Sequence, residues 1–356
     1  MNYNEIYKPM SRTSFASKMM HAFYASISTM SNDGQVGPDI LRTIFLPDEI
    51  ETFVLFSITA NEYSNKDMTE KQFVDTMSAI RSFQPPEFYE KLKTDHGKWI
   101  LATIGAVQFE SQEYAVFRLY RHHFLFSYVN ENVNVDKEFK SKFVRCFDEY
   151  AIIAYTLHIL LAQKEIEVFK EYCKRICSIA PWFIDNLKLN RDQYREELSQ
   201  FATCEKDYKY CLRPSYSYPF IEYQDEYFLP TPHLLIQSIT TAMMNRLTFG
   251  YDALRERIGK NACEDYLMRI VSRSGLFDEV QQEYTYAEGK RTLDVLARRK
   301  DVALLFDSKL FSPKVGLRTY DEEAYAKDIK RIVKEMKQAY LHGRCKFGHV
   351  FVKQKV

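Results

Sequence analysis

The sequence carries almost no net charge: 49 Lys and Arg stand against 48 Asp and Glu, leaving +1. A global pull on nucleic acid is therefore excluded, and any such binding has to come from a local basic face. Metal-ligand spacing is missing as well. Of the 7 cysteines, Cys173 and Cys177 fall near each other on an expected helix, but no second Cys or His pair at zinc spacing accompanies them. They read as reduced core thiols. No apolar run reaches the ~20 residues that crossing a bilayer requires, and no signal peptide opens the chain. Both absences point to a cytoplasmic protein with no membrane partner. Gly259-Lys260 is not a phosphate loop, because the preceding glycine and the following Ser or Thr are absent.

What is present is length and aromatic content. A chain of 356 residues has room for about two domains. Its 46% hydrophobic and 27% charged residues are ordinary, whereas 25 Tyr and 26 Phe are many, and they belong first to a core. Helical spacing of apolar residues runs through Ser11–Met30, Ile50–Ala60, Lys71–Phe83, Phe143–Lys164, Glu165–Ile179 and Asp192–Phe201. Trp99–Phe109 and Tyr114–Tyr120 fit strand or helix equally. Neighbouring His122 and His123 invite a metal, but adjacent residues point in different directions on any regular element. His158, among apolar residues, reads as a satisfied core histidine. Residues 1–210 are thus expected to form a mainly helical module for a partner or for assembly. Composition then shifts to SYSYPFIEY, QDE and YFLPTP, an edge hairpin within 211–245. Residues 246–356 form the remaining domain.

That last segment holds the chemistry. Thr292–Leu310 reads as two short strands joined by a basic turn, carrying Asp294 on the first and Asp307-Ser308-Lys309 at the end of the second. Strand alternation puts Asp307 and Lys309 on one face and turns Ser308 away. Two carboxylates at the ends of adjacent strands suit a hard cation such as Mg²⁺, and a nearby lysine suits a water nucleophile. An Asp-x-Lys triplet also arises by chance, and an acid on a strand often marks only a solvated edge. Glu264 lies close to the burying face of the preceding helix, Tyr251–Ser272. The expected order from there is helix, strand 277–286, strand 292–297, strand 302–309, helix 320–341, strand 347–352.

This α-β-β-β-α-β order, with Asp294, Asp307 and Lys309 at those places, resembles the PD-(D/E)XK nuclease superfamily, which has the restriction-endonuclease-like fold. The likeness covers about the last third of the chain, and the fold class is then α+β, a helical N-terminal module followed by that domain. Leu293 stands where the family's proline falls. The resemblance implies that Asp294 and Asp307 bind Mg²⁺, with Mn²⁺ as a substitute, that Lys309 positions the attacking water, and that Glu264 matches an acid some members carry. It further implies a DNA endonuclease, as a homo-oligomer or under a regulatory partner, and by the habit of such fusions an effector of bacterial antiviral defence or restriction. A catalytically silent member that binds nucleic acid or a protein is the alternative. The next helix adds an apolar stripe, Ile329, Ile332, Val333, Met336 and Tyr340, and a basic face with Lys327, Lys330, Arg331, Lys334 and Lys337. Lys314 and Arg318 lie in the loop before it. Such cations would hold duplex DNA by its phosphates without reading sequence.

Overall fold

The computed structural model describes residues 3–30, 45–83, 114–202, 204–209, 211, 213–283, 285–286, 290–291 and 293–308, with residues 323, 326–327, 329–334 and 337 of a further helix. The chain is α+β and mostly helical, and its described residues form two sheets of three strands and a short two-stranded ribbon.

The helical part begins with α1 (Asn4–Ser11), α2 (Phe15–Thr29), α3 (Pro47–Thr59) and α4 (Glu70–Ser82). Local chemistry sets their starts. Ser14 accepts from the Ser17 N–H, and Thr69 and Gln72 cap α4 reciprocally. Pro47 opens α3, where its missing N–H would have no helical partner. The end of α4 is held differently. Lys209, buried, points its Nζ at the carbonyls of Arg81 at 3.1 Å and Phe83 at 2.7 Å, satisfying groups the helix leaves open.

Next come α5 (Ala115–Phe126), α6 (Val135–Phe143), α7 (Phe147–Ala162), α8 (Ile166–Ile179), α9 (Pro181–Leu187), β1 (Lys188–Asn190) and α10 (Arg191–Ser199). Tyr114–Tyr120 therefore resolves as helix, and Trp99–Phe109 lies outside the described residues. Rings fill the space between these helices: Phe126 lies 4.5 Å from Phe139 and 4.9 Å from Phe147 between centroids, both in tilted arrangements. Tyr150 is buried with them because its hydroxyl donates to the Phe143 carbonyl at 2.8 Å.

The expected hairpin forms as β2 (Phe220–Tyr223) and β3 (Glu226–Phe228). Gln224 and Asp225 both take positive φ, 51° and 62°, which suits a two-residue turn between twisted strands. It is no free-standing connector. β1 pairs in parallel with β2, while Phe220 and Ile221 each enter a helical core. Helical packing then continues through α11 (Leu235–Ile239), α12 (Thr241–Thr248) and α13 (Asp252–Ile258), and the larger core extends to Ala262.

A buried ion pair ties α2, α3 and this connection together. The Glu51 carboxylate meets Arg213 Nη1 at 2.9 Å and His233 Nε2 at 2.9 Å, and His233 Nδ1 lies 2.7 Å from Ser26 Oγ. Both Glu51 and Arg213 are buried, so each charge depends on the other. Two thiol and histidine readings change. Cys177 is exposed rather than core, since α8 turns that position to solvent. His158 is buried, but among the described residues its Nδ1 has no hydrogen-bond partner, and burial lowers its pKa to about 4, keeping the ring neutral.

The last part consists of α14 (Glu264–Arg273), β4 (Glu279–Gln282), β5 (Thr285–Tyr286), β6 (Lys290–Arg291), β7 (Val295–Arg299) and β8 (Val302–Phe306). A π-helical turn, Gly259–Cys263, joins α13 to α14 where a single uninterrupted helix was expected. β7 is the middle strand, antiparallel to β4 on one side and β8 on the other. Both its faces are covered: Val295 and Ala297 pack with Val271 of α14, and Leu296, on the other face, is buried too. The basic turn is the two-residue link Lys300-Asp301, with Lys300 at φ 51° and its N–H donating to Asp278 at 3.0 Å. The expected strand 347–352 lies outside the described residues.

Candidate functional site

The sheet gathers the acids by register. Gln282 faces Val295 and Val295 faces Phe306, so the next positions outward on the three strands are Glu283, Asp294 and Asp307. The Glu283 N–H donates to the Asp294 carbonyl at 2.9 Å, which carries the ladder one step past the regular strands. Beyond this rung the pairing slips. Thr285 faces Arg291, so the segment holding Asp294 contains one residue more than its partner. An extra residue of this kind bends a strand and re-aims the adjoining side chains, and Asp294 sits at that offset.

Glu264 is drawn to the same place from the start of α14, a helix that packs on β4 and β7. Its carboxyl is half-buried, and its pKa is pushed up to about 7, first by burial, then by the charge of Asp294, then by Glu283; Lys260 opposes the shift and Asp307 adds to it. Four carboxylates thus share one electrostatic neighbourhood. Cys263, next to Glu264, is raised to about 11 by burial, with Glu264, and Asp294 more weakly, adding to the effect.

Asp294 is buried and orients itself on the other side of the hairpin. Its Oδ2 accepts from the Ser308 N–H at 2.6 Å and from the Ser308 hydroxyl at 3.0 Å. Strand alternation had turned Ser308 away from the acids. The regular strand stops at Phe306, so period two no longer governs the triplet, and Ser308 is drawn onto Asp294. Among the described residues no three His, Cys, Asp or Glu side chains converge closely enough to form a ready metal cage. The donor chemistry nevertheless fits a hard divalent cation: every candidate is an oxygen ligand, and their mutual repulsion is what a cation offsets.

The remaining expected residues separate into two groups. Lys309, Lys314 and Arg318 lie outside the described residues. Lys327, Arg331 and Lys334 are helical and exposed, and Lys327 pairs with Glu323 one turn away. On the expected apolar stripe of that helix, Ile329 and Val333 are each 40% exposed, so among the described residues the stripe is not a buried face. His122 and His123 diverge. His122 is buried against the Arg118 carbonyl at 2.9 Å, and His123 is exposed beside Asp148 at 2.6 Å.

Glu283 was missed by sequence reasoning. Counting back across the hairpin from Asp294 finds it only once the one-residue offset between the strands is known. Asp265 was missed as well. It follows Glu264 but faces another way, accepting from the Tyr128 hydroxyl and from Gln282 Nε2 at 3.3 Å.

The fold and site define an α+β protein with an acidic cluster at the strand ends of an antiparallel sheet. No family model, no curated protein and no solved structure matches the chain. Among the described residues no helix is long and apolar enough to cross a membrane.

Proposed function

We propose that the chain is a metal-dependent nuclease that hydrolyses phosphodiester bonds in DNA. The observation that supports this best is the acidic rung of Glu283, Asp294 and Asp307 facing Glu264, whose carboxyl is pushed up to about 7 by burial first and by their charge second. Carboxylates gathered at the ends of adjacent strands disfavour one another's charged forms, and a bound cation offsets that repulsion. In this reading Glu264, Asp294 and Asp307 supply oxygen ligands to Mg²⁺ or Mn²⁺. Such an ion, when bound, offsets charge on the scissile phosphate and acidifies a bound water.

The chain's own groups do the rest. The Ser308 N–H and hydroxyl fix the Asp294 carboxylate, leaving it one orientation. The half-buried Glu264 carboxyl can hold a proton at neutral pH and give it up to water when a cation beside it favours the charged form. Lys309 takes the role that the resemblance implies, positioning the incoming water. Exposed Lys327, Arg331 and Lys334 offer charge to a phosphate backbone. An antiviral or restriction effector, controlled through its helical part, is the setting that follows from the same resemblance.

A second reading is a nuclease-like fold that binds nucleic acid or a protein without cutting. It is favoured by one observation, that no three acidic side chains among the described residues already converge as a cage. Supercoiled and linear DNA incubated with Mg²⁺, Mn²⁺ or EDTA separate the two. Metal-dependent cutting, lost in Asp294→Ala and Lys309→Ala variants of unchanged circular dichroism, is the expected result. Cutting that persists in Lys309→Ala would sink the nuclease assignment of this site.

A further inference from the structure

α14 is held from two sides. Leu267, Met268 and Val271 pack with the sheet. Its other side meets α5: Tyr266 lies 5.4 Å from the Phe124 ring, and the Arg269 guanidinium lies 5.3 Å over that same ring. At its first turn this apolar contact gives way to a polar belt. The Tyr128 hydroxyl donates to Asp265 Oδ2, and the Asn130 amide donates to the Tyr128 oxygen and to Asn261 Oδ1, each at 3.0 Å. Asn132 also reaches Asn261 Oδ1, at 3.2 Å. On the far side Asp265 Oδ1 accepts from Gln282, the residue before Glu283.

The belt therefore joins the loop after α5 to the end of β4 through the Asp265 carboxylate, and to the π-turn through Asn261. The loop itself is stiff. Asn130 Oδ1 accepts from the N–H groups of Asn132 at 2.9 Å and Val133 at 2.8 Å, and Val129 bridges to Asn134. Asp265 adjoins Glu264, so whatever fixes Asp265 fixes the turn from which Glu264 reaches the acidic rung.

We propose that Tyr128, Asn130 and Asp265 are positioning residues through which the helical part of the chain holds Glu264 against the strand ends and so sets how the acidic cluster takes up a divalent cation. The cation rests on the function proposed above; the mechanical link does not. Orientation of a ligand by its neighbours is commonly worth about 10-fold or more in metal affinity. The loss of a hydrogen bond to a carboxylate is felt locally as about a 10-fold rise in opening.

The test uses the full chain and its Tyr128→Phe and Asp265→Asn variants, with Tyr63→Phe, whose ring is 81% exposed, as control. Backbone amide exchange over residues 259–268 is measured without metal, and Mn²⁺ affinity by electron paramagnetic resonance. Exchange about 10-fold faster in that stretch, in both variants but not the control, with Mn²⁺ bound about 10-fold more weakly, is the expected result. Unchanged exchange in both variants overturns the proposal. So does Mn²⁺ affinity equal to wild type when exchange has risen, since Glu264 would then not depend on the belt. If the wild type takes up no Mn²⁺, the function proposed above fails, and the exchange measurement still decides whether the belt holds the turn.

Discussion

Replacing Asp294 by asparagine should lower the pH at which Glu264 takes up its proton. Asparagine keeps the shape of the side chain and an oxygen acceptor for the Ser308 N–H at 2.6 Å, so the turn survives while the charge goes. Glu264 titrates at about 7 against an ordinary 4.5, with burial the first cause and Asp294 the first of the charges. Burial, Glu283 and Asp307 remain in the variant, so Glu264 should titrate about one pH unit lower and still above its ordinary value. A side-chain carboxyl ¹³C titration of both proteins measures it directly.

The same displacement has a sign in stability. Below pH 4.5 the Glu264 carboxyl is protonated in both the folded and unfolded chains and costs nothing. As pH rises toward about 7 the unfolded chain gives up the proton first, so stability falls across that window and the loss is complete above it. Because the group is half exposed, solvent screening reduces the loss to about 1 kcal/mol. Urea unfolding of Asp294→Asn should therefore show a shallower fall between those pH values. A Glu264 that titrates near 4.5 in the wild type, or at an unaltered pH in the variant, would refute the shared charge neighbourhood.

Elsewhere, Glu51→Gln should cost about 3–5 kcal/mol in urea unfolding, since it strands the buried Arg213 charge, whereas Glu51→Leu with Arg213→Met should cost much less. A single-variant loss below about 1 kcal/mol would mean the pair is solvated. Lys209→Met keeps the stem but leaves the carbonyls of Arg81 and Phe83 without their donor; a loss of about 2 kcal/mol is expected, with amide exchange rising first at the end of α4. Asn190→Ala removes a cap that accepts from the N–H groups of Asp192 and Gln193, and should cost about 1 kcal/mol by the same unfolding measurement.

Several helices, among them Phe15–Thr29, Pro47–Thr59 and Glu70–Ser82, and the two hairpins were legible in the sequence because their causes are local, whereas Ala115–Phe126 fitted strand or helix equally until packing decided it. Thr69 with Gln72 starts a helix, and Gln224-Asp225 and Lys300-Asp301 each reverse a strand in two residues. Asp294 and Asp307 stand out as a pair for a similar reason: a short turn fixes which residues across it are opposite. What only the tertiary structure decided lies where distant segments meet. β1 joins the later hairpin in parallel, a pairing no local pattern encodes. Glu283 enters the acidic rung through a one-residue offset, and Ser308 leaves strand alternation because a buried carboxylate attracts its N–H and hydroxyl more strongly than a ladder that has already ended holds it. Tyr128 and Asp265, 137 positions apart, meet only after α5 has packed on α14. Residue type and spacing determine elements and turns; which acids share one field, and what holds them there, follows from packing between elements far apart in the chain.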